Sequence, residues 1–568
     1  MICKFILIIS LFINLTFSKF PDAIGYNGMV VSSNKYASQI GLDILKNGGN
    51  AIDAAIGVSF ALAVVHPGAG NIGGGGFMVV RTSDGEVTTI DFREKAPSGA
   101  SKDMFLDDSL NVIPGKSWST SLASGVPGSV AGMWMAHEKF GSKPWYEIIR
   151  PSIHLAQYGF ELDPLNCSYL NSNYYKSFLS KDSETKDIFT KADDFKIGEI
   201  FFQHDLANTL RRIAFSGRDG FYKGQTAKNI VKCMERTDGI ITLDDLENYE
   251  AIERNPIEFE YKNYKVYSMP PPSSGGVALA GILKQLENIG LDTIPYHSSN
   301  YIHYIVEAER NVYSDRSVYL GDSDFNDIPI KELISDEYSK SRWSKVDLAK
   351  ARKSSDVQEG NLMYYESEET THYSVVDKWG NAVSVTTTVN GWFGNGIVVD
   401  DSGFLLNNEM DDFSSKPGHP NKYGLIGNKL NSIEPNKRML SSMTPTIVEN
   451  PQGELFLVVG SPGGSTIITT VAQVILNVID QKMSIKNAIE QSRFHHQWLP
   501  DVVYFEPLNF SKETLDELKL MGHSISNRTN IGEANCIKIK ALKDSSKVKN
   551  YIFSGAADSR RGASALGF

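Results

Sequence analysis

The chain contains very little cysteine for its length. Its 568 residues include four cysteines, and one of them, Cys3, lies in an apolar segment at the N-terminus. The other three, Cys167, Cys233 and Cys536, can form at most one intramolecular disulfide, and their spacing fits no zinc site. The sequence therefore excludes a disulfide-based scaffold, and we expect neither a bound metal nor another cofactor.

Positive charge is also in deficit. Lys and Arg together number 56, against 67 for Asp and Glu, so the formal net charge is −11 at pH 7. Proteins that bind nucleic acid neutralise its phosphates with basic residues. We therefore expect no nucleic acid among the partners, and the charge favours a soluble chain.

Long hydrophobic runs are missing beyond the N-terminus. The longest candidate, residues 54–65, covers about a dozen residues, whereas a membrane-spanning helix needs ~20. At the N-terminus, Lys4 precedes the apolar residues 5–17, and the small residue Ser18 follows them. This pattern is typical of a signal peptide over residues 1–18 and predicts a periplasmic or secreted protein. An uncleaved membrane anchor is the alternative.

One glycine-rich stretch has to be separated from a nucleotide-binding motif. Residues 68–73 match the pattern G-x-G-x-x-G, which binds dinucleotides where a strand ends and a helix begins. Here residues 51–65 are predicted as a buried helix and residues 77–92 as a β-hairpin, so the order is reversed. This order of elements argues against a dinucleotide site, and therefore against an oxidoreductase. Close backbone packing explains the glycines better.

The remaining periodicity predicts a mixture of helices and antiparallel hairpins. We expect helices over residues 38–46, 467–481 and 484–491, a helix-rich middle over residues 144–353, and mainly strands after residue 370. No linker rich in Pro, Gly and Ser divides the chain. Length alone favours three or four domains, but these features indicate one composite α+β sandwich.

Residues 368–377 contain the most informative segment, in which Thr370 is the candidate nucleophile. A threonine hydroxyl needs a neighbouring base, and an N-terminal threonine carries one in its own α-amine, whose pKa is ~8 against ~10.4 for a lysine. The amine becomes free only if the chain breaks between Glu369 and Thr370. The alternative is that this segment is an ordinary strand edge.

A predicted hairpin gives Thr370 a partner. Residues 373–377 and 382–389 favour strands, and residues 378–381 favour a tight turn. In such a hairpin, paired residue numbers sum to 758 or 759, which places Thr370 opposite Thr388. Asn390 lies two residues further, on the same face.

Four short motifs offer chemistry that complements this nucleophile. Residues 407–413 concentrate carboxylates suited to an ammonium group, and residues 435–443 place two hydroxyls beside basic residues. Residues 460–465 contain adjacent glycines whose N–H groups suit an oxyanion, and Arg93 suits a carboxylate. Together they match an α-amino acid that carries a distant acyl group.

These motifs, in this order, resemble those of the γ-glutamyltranspeptidases. Further matching segments are residues 48–55, 271–276, 315–319 and 493–500, so the resemblance covers almost the whole chain after the leader. It implies the four-layer αββα sandwich of N-terminal-nucleophile hydrolases. It also implies a cleavage site between Glu369 and Thr370, which separates a large subunit, residues 19–369, from a small catalytic subunit, residues 370–568.

The resemblance also implies a role for each candidate site residue. Thr370 would be the nucleophile of both self-cleavage and catalysis, and Thr388 would assist it. The α-carboxylate would be bound by Arg93, Ser441 and Ser442, the α-amine by Asn390, Glu409 and Asp412, and the oxyanion by Gly463 and Gly464. Residues 416–424 resemble a lid over the active site, with Tyr423 at the gating position.

The implied activity is transfer of a γ-glutamyl group from glutathione or another γ-glutamyl compound to water, an amino acid or a peptide. The alternatives are a related glutaryl-β-lactam acylase, a poly-γ-glutamate depolymerase, or a non-catalytic secreted binding protein. Glu409 and Asp412 argue against the acylase because a glutaryl group has no ammonium. The lid argues against a polymeric substrate.

Overall fold

The computed structural model describes residues 22–287, 289–357, 370–416, 418, 419, 421, 424, 425, 427, 429–542 and 550–568. The predicted signal peptide, Glu369 and Tyr423 lie outside the described residues.

Strands occur along the whole described chain. They are β1 (Ala23–Gly25), β2 (Gly28–Ser32), β3 (Gly75–Arg81), β4 (Val87–Phe92), β5 (Phe160–Glu161), β6 (Ile200–Phe201), β7 (Ile252–Arg254), β8 (Ile257–Tyr261), β9 (Tyr264–Ser268), β10 (Thr371–Asp377), β11 (Ala382–Thr388), β12 (Thr446–Glu449), β13 (Leu455–Val459), β14 (Phe494–His495), β15 (Val503–Phe505), β16 (Ile525–Asn527), β17 (Cys536–Leu542), β18 (Asn550–Ala556) and β19 (Ser564–Gly567).

Helices fill most of the middle of the chain. They are α1 (Lys35–Lys46), α2 (Ala51–Val65), α3 (Ser129–Phe140), α4 (Trp145–Tyr158), α5 (Pro164–Leu170), α6 (Asn173–Leu179), α7 (Ser183–Phe189), α8 (His204–Ser216), α9 (Asp219–Tyr222), α10 (Gly224–Thr237), α11 (Leu243–Glu247), α12 (Gly275–Glu287), α13 (Ser299–Tyr319), α14 (Ile330–Leu333), α15 (Asp336–Trp343), α16 (Thr466–Ile479), α17 (Ile485–Glu490) and α18 (Lys512–Leu520).

Two antiparallel seven-stranded sheets form the centre of the molecule. The first has the order β1-β18-β17-β13-β12-β9-β8, and the second has the order β19-β2-β10-β11-β3-β4-β7. Both sheets therefore combine strands from before and after Thr370. In the second sheet, the β10–β11 hairpin lies between β2 and β3, so both its edges are hydrogen-bonded to strands from the earlier part of the chain.

Three apolar cores separate four layers. One core, which includes Met29, Val376, Val458 and Ile537, fills the space between the two sheets. A second core joins the outer face of the second sheet to α1, α2 and α4, and a third joins the outer face of the first sheet to α12, α13 and α16. The layers follow the order helix, sheet, sheet, helix, which confirms the predicted αββα sandwich.

The alternation of side chains in β10 positions the candidate nucleophile. Val375 packs in the core under the helices, whereas Val376 packs between the sheets. Because side chains alternate along a strand, the even-numbered residues face the inter-sheet space. By extension, Thr370 points into that space at the end of the strand.

Most of the predicted elements agree with the structure to within a few residues. The buried helix 51–65 is observed with the predicted bounds, whereas the predicted helix 38–46 begins earlier, at Lys35, because Asn34 caps it. The segment 68–73 follows a helix and precedes β3, as expected for a packing role. All three described cysteines are free and buried.

Among the described residues, no helix combines the length and apolar character needed to cross a membrane. The longest, α13, contains several charged residues.

The start of α2 depends on Asp53. Its carboxylate accepts a hydrogen bond from the Asn50 N–H at 2.9 Å and another from the Ser142 N–H at 2.9 Å, while the Asn50 side chain caps the helix in return. We expect Asp53→Ala to destabilise the protein by about 2 kcal/mol, because a cap and buried acceptors are lost. Thermal unfolding measures this effect. Asp43→Ala, on the exposed face of α1, should leave the midpoint nearly unchanged; equal midpoints for the two variants would contradict this assignment.

Candidate active site

The predicted nucleophile and its predicted partner lie side by side. In the β10–β11 ladder Thr371 pairs with Thr387, so paired numbers sum to 758, and the next pair outward is Thr370 with Thr388. The register predicted from the turn length is therefore confirmed. His372 and Thr386 hydrogen-bond at 3.0 Å on the inter-sheet face, which places Thr370 and Thr388 on that face as well.

Thr388 and Asn390 belong to a tightly bonded turn at the end of β11. The Thr388 hydroxyl oxygen accepts a hydrogen bond from the Asn390 N–H at 2.8 Å, and Asn390 has a positive φ of 66°. The Asn390 side chain donates to the Asn408 carbonyl at 2.9 Å, and the Gly391 N–H donates to the Asn408 side chain at 2.7 Å. This turn is thereby fixed against the segment that carries Glu409.

The predicted oxyanion residues lie just before helix α16. Gly463 and Gly464 have φ values of 134° and 55°, a region that favours glycine. Their carbonyls accept hydrogen bonds from the first turn of the helix, and within the described part of the chain neither N–H donates to a protein group. Gly464 lines the same pocket as Thr370. The N-terminal end of a helix favours negative charge, so this loop suits an oxyanion.

Arg93 connects the two halves of the predicted ligand site. It follows β4, is completely buried, and forms ion pairs with Glu409 through Nη1 and with Asp412 through Nη2. Its Nε donates to the Met439 carbonyl at 3.3 Å, and Glu94 lies 3.7 Å from Nη1. The arginine predicted to bind the α-carboxylate is thus held by two residues predicted to bind the α-amine.

This cluster contains more acidic groups than basic groups. One guanidinium faces three carboxylates, those of Glu94, Glu409 and Asp412. Burial raises the pKa of Glu94 to about 7 and raises the pKa of Glu409 well above its usual range, while Arg93 opposes both shifts. Glu409 Oε2 is buried and accepts no hydrogen bond from the described residues. An incoming ammonium group would favour the ionised form of these carboxyl groups and pair with them.

The paired serines are held by the segment before α12. The Ser274 N–H and hydroxyl both donate to the Ser441 carbonyl, at 2.8 and 2.6 Å, and the Ser273 hydroxyl donates to the Met443 carbonyl at 2.6 Å. The Ser441 hydroxyl oxygen accepts from the Met443 N–H at 3.1 Å. Because that oxygen is used as an acceptor, its O–H can donate to a carboxylate.

One pocket brings together nearly all the predicted residues. It is lined by Arg93, Arg316, Thr370, Thr388, Asn390, Glu409, Asp412, Leu425, Ser441, Ser442, Met443, Gly464 and Ile467. Within the predicted lid, Asn421 donates to Asp412 at 3.1 Å, and Leu425, the residue just after the lid, lines the pocket. Tyr423, at the predicted gating position, is outside the described residues.

Two supporting features were missed by the sequence argument. The Asn407 side chain donates to the carbonyls of Gly73 and Gly125, each at 2.8 Å, and accepts from the Glu409 N–H at 3.0 Å. Arg316 lines the pocket beside Ser442. Both residues lie in segments that the sequence singled out, but their contacts depend on tertiary packing between distant segments.

Another cluster has the composition of a metal site but not its chemistry. His303, Glu307 and His523 are buried within ligand distance of one another. However, the His303 and His523 rings hydrogen-bond to each other at 2.8 Å, and Glu307 binds Arg310 and Arg352. Both histidine rings and the Glu307 carboxylate are therefore already engaged by other side chains.

The four-layer sandwich, with a hydroxyl residue at the start of a central strand beside a charged pocket, defines the N-terminal-nucleophile hydrolase class. A model of the gamma-glutamyltranspeptidase family matches residues 37–568 of the chain. The chain therefore belongs to the γ-glutamyltranspeptidase family.

Individual relatives agree with this assignment. The glutathione hydrolase proenzyme of Escherichia coli K12 is 48% identical over 513 residues, which cover 90% of this chain and 88% of that protein. A chain of the Helicobacter pylori gamma-glutamyltranspeptidase is 44% identical, with a TM-score of 0.57, covering 59% of this chain and 96% of that one. The cephalosporin acylase of Bacillus halodurans has a TM-score of 0.80 over 97% of both chains, but at 23% identity this likeness concerns the fold alone.

The two ion pairs of Arg93 give a stability prediction. Arg93→Lys keeps the charge but offers one nitrogen in place of two, so either Glu409 or Asp412 loses its buried partner. We expect a loss on the order of 3 kcal/mol, measured as a lower midpoint of thermal unfolding. The surface replacement Arg150→Lys controls for the change of residue type. If both variants unfold at the wild-type temperature, Arg93 does not hold the cluster together.

Proposed function

We propose that the chain is the precursor of a self-processing γ-glutamyltransferase and glutathione hydrolase. Cleavage before Thr370 yields a large subunit, residues 19–369, and a small subunit, residues 370–568, that remain in one fold. The observation that carries this proposal is the single pocket that unites Thr370, the paired charges around Arg93, and Gly464. Family membership and the glutathione hydrolase proenzymes among the relatives support it.

Processing is the first reaction of Thr370. Its hydroxyl oxygen attacks the carbonyl carbon of Glu369, and the peptide C–N bond breaks as the ester forms. The former peptide nitrogen takes up a proton and becomes the free α-amine of Thr370. Water then hydrolyses the ester, which leaves a carboxylate on Glu369 and restores the hydroxyl. The new amine is the base that the nucleophile needs.

The donor substrate is held through its α-amino acid end. Its ammonium group approaches Glu409, Asp412 and Asn390, where acidic groups outnumber the one guanidinium. Its α-carboxylate approaches the hydroxyls of Ser441 and Ser442 and the guanidinium of Arg93. The γ-carbonyl carbon then lies at Thr370, which lines the same pocket.

Catalysis follows as acyl transfer in two steps. The α-amine accepts the hydroxyl proton while the Thr370 oxygen attacks the γ-carbonyl, and the N–H groups of Gly463 and Gly464 bind the oxyanion. The leaving amine takes up the proton and departs, which leaves a γ-glutamyl ester on Thr370. Water or the amine of an amino acid or peptide then attacks the ester and regenerates the enzyme.

The pocket favours this donor over the substrates of related enzymes. A glutaryl group has no ammonium to place against Glu409 and Asp412, so those charges would stay buried without a ligand. The lid predicted over residues 416–424 would cover the pocket, which suits one glutamyl group better than a polymer. The signal-peptide pattern supports release to the periplasm or the exterior.

Replacements of Thr370 test the nucleophile. We expect Thr370→Ala to abolish both self-cleavage and glutathione hydrolysis, because the attacking oxygen is absent from each reaction. Thr370→Ser should keep slower versions of both, since the hydroxyl and the amine remain. Precursor cleavage on gels, N-terminal sequencing of the small fragment, and glutamate release with and without glycylglycine measure these effects. Cleavage and hydrolysis by Thr370→Ala would place the chemistry on another residue.

Thr388→Ala serves as the matched variant, because it removes the neighbouring hydroxyl and leaves the nucleophile intact. We expect both reactions to slow by roughly one to two decades, the effect of losing one orienting hydrogen bond of about 1–3 kcal/mol. A variant as inactive as Thr370→Ala would show that Thr388 does more than orient the nucleophile.

Two adjacent aspartates test the amine site. Asp412 pairs with Arg93 and lines the pocket, whereas Asp411 accepts a hydrogen bond from the Ser117 hydroxyl and does not line it. We expect Asp412→Asn to shift preference from γ-glutamyl toward glutaryl anilides, measured as the ratio of kcat/KM values. Asp411→Asn should keep the wild-type ratio. An unchanged ratio in the Asp412 variant would remove this residue from the amine site.

A further inference from the structure

Arg316 is a buried arginine that forms no direct ion pair among the described residues, and Asp412 of the same pocket favours its cation only at longer range. It lies near the end of α13 and is 5% exposed. Its Nε donates to the Ser274 hydroxyl at 2.9 Å, and its Nη2 donates to the Ser442 hydroxyl at 3.3 Å. The neighbouring Asp315 is instead paired with Arg342 at 3.1 Å. A buried guanidinium that contacts only hydroxyls is costly unless another negative group comes near it.

That negative group would be a carboxylate of the ligand, and the charges of the pocket show why it needs Arg316. Arg93 is matched by Glu409 and Asp412, with Glu94 close by, so it brings no spare positive charge. A carboxylate that enters beside Arg93 alone would find that guanidinium already paired with Glu409 and Asp412. Arg316, on the serine side of the same pocket, supplies the second positive charge.

The contact with Ser442 adds a directional effect. A hydroxyl has one proton to donate and lone pairs to accept with. Arg316 cannot accept a hydrogen bond, so Ser442 must accept from it. Its own O–H is then directed away from Arg316, and the pocket that both residues line is where a carboxylate can receive it.

We propose that Arg316 is a positioning residue for the donor substrate, which orients the Ser442 hydroxyl toward the α-carboxylate and offsets the charge of that carboxylate. This inference rests on the proposed function, because it assumes a γ-glutamyl donor. It assigns carboxylate recognition to an arginine on each side of the pocket. Arg93 organises the acidic side, and Arg316 organises the serine side.

The test compares two substrates that differ only in the α-carboxylate. γ-Glutamyl anilide carries this group, and 4-aminobutyryl anilide lacks it but keeps the amine and the scissile amide. For Arg316→Gln we expect KM for the γ-glutamyl anilide to rise about tenfold to a hundredfold, the usual effect of losing a hydrogen bond to a charged group, with a smaller change in kcat. The kcat/KM for 4-aminobutyryl anilide should stay near the wild-type value.

Three further variants distinguish a role of Arg316 in positioning Ser442 from a general loss of structure or activity. Arg316→Lys keeps the charge and should restore part of the affinity. In a Ser442→Ala background, Arg316→Gln should add less than it does alone, because the hydroxyl it orients is gone. Arg310→Gln, which removes another buried arginine of α13 that pairs with Glu307 at 3.0 Å, should affect both substrates by the same factor.

The outcomes distinguish this inference from the proposed function. If the wild-type protein does not cleave γ-glutamyl anilide, the proposed function is wrong. If it does, and Arg316→Gln weakens both substrates equally, only the role of Arg316 is wrong. Should Arg316→Gln fail to fold, Arg316→Lys decides alone: a KM increase selective for γ-glutamyl anilide supports the role, and an equal loss on both substrates overturns it.

Discussion

The buried ion pairs of Arg93 are the interaction on which the rest of the site depends. Charges removed from water are stable only when they are paired and hydrogen-bonded, and each unpaired ion costs several kcal/mol. Arg93 follows β4, whereas Glu409 and Asp412 lie in a short 3-10 helix after β11. Pairing them fixes the position of one pocket wall relative to the nucleophile strand. Because these ions must be paired, the position of Arg93 restricts where Glu409 and Asp412 can lie.

Because of the same charge pairing, the pocket selects a ligand by the positions of its charged groups as well as by its shape. Its acidic wall places three carboxyl groups around the one guanidinium of Arg93, and its serine wall lies beside Arg316. A ligand with neighbouring ammonium and carboxylate groups satisfies both walls simultaneously. A ligand with only one of these groups leaves the opposite wall uncompensated in a site of low dielectric.

Local patterns predicted those parts of the structure that depend on short stretches of chain. The pairing of Thr370 with Thr388 followed from turn length and strand alternation, because a hairpin has only a few possible registers. Helix α2 was predicted at its observed bounds because Asn50 caps it and nearly all of its residues are apolar. By contrast, the support that Asn407 gives to Glu409 joins it to Gly73 and Gly125, far apart in sequence. The contact of Arg316 with Ser442 joins a helix to a loop 126 residues later. Neither contact leaves a periodic or local signal, so both required the folded structure.

The position of the β10–β11 hairpin in the middle of its sheet has a consequence for assembly. Its two outer edges are bonded to β2 and β3, which belong to the other side of the proposed cut. Those ladders form only when the whole chain is present, so folding has to precede cleavage. After cleavage, neither fragment can leave without exposing two rows of backbone hydrogen-bonding groups and the core between the sheets. Strands of the two fragments therefore lie side by side within one sheet. Exchange of subunits between molecules would be as slow as unfolding itself.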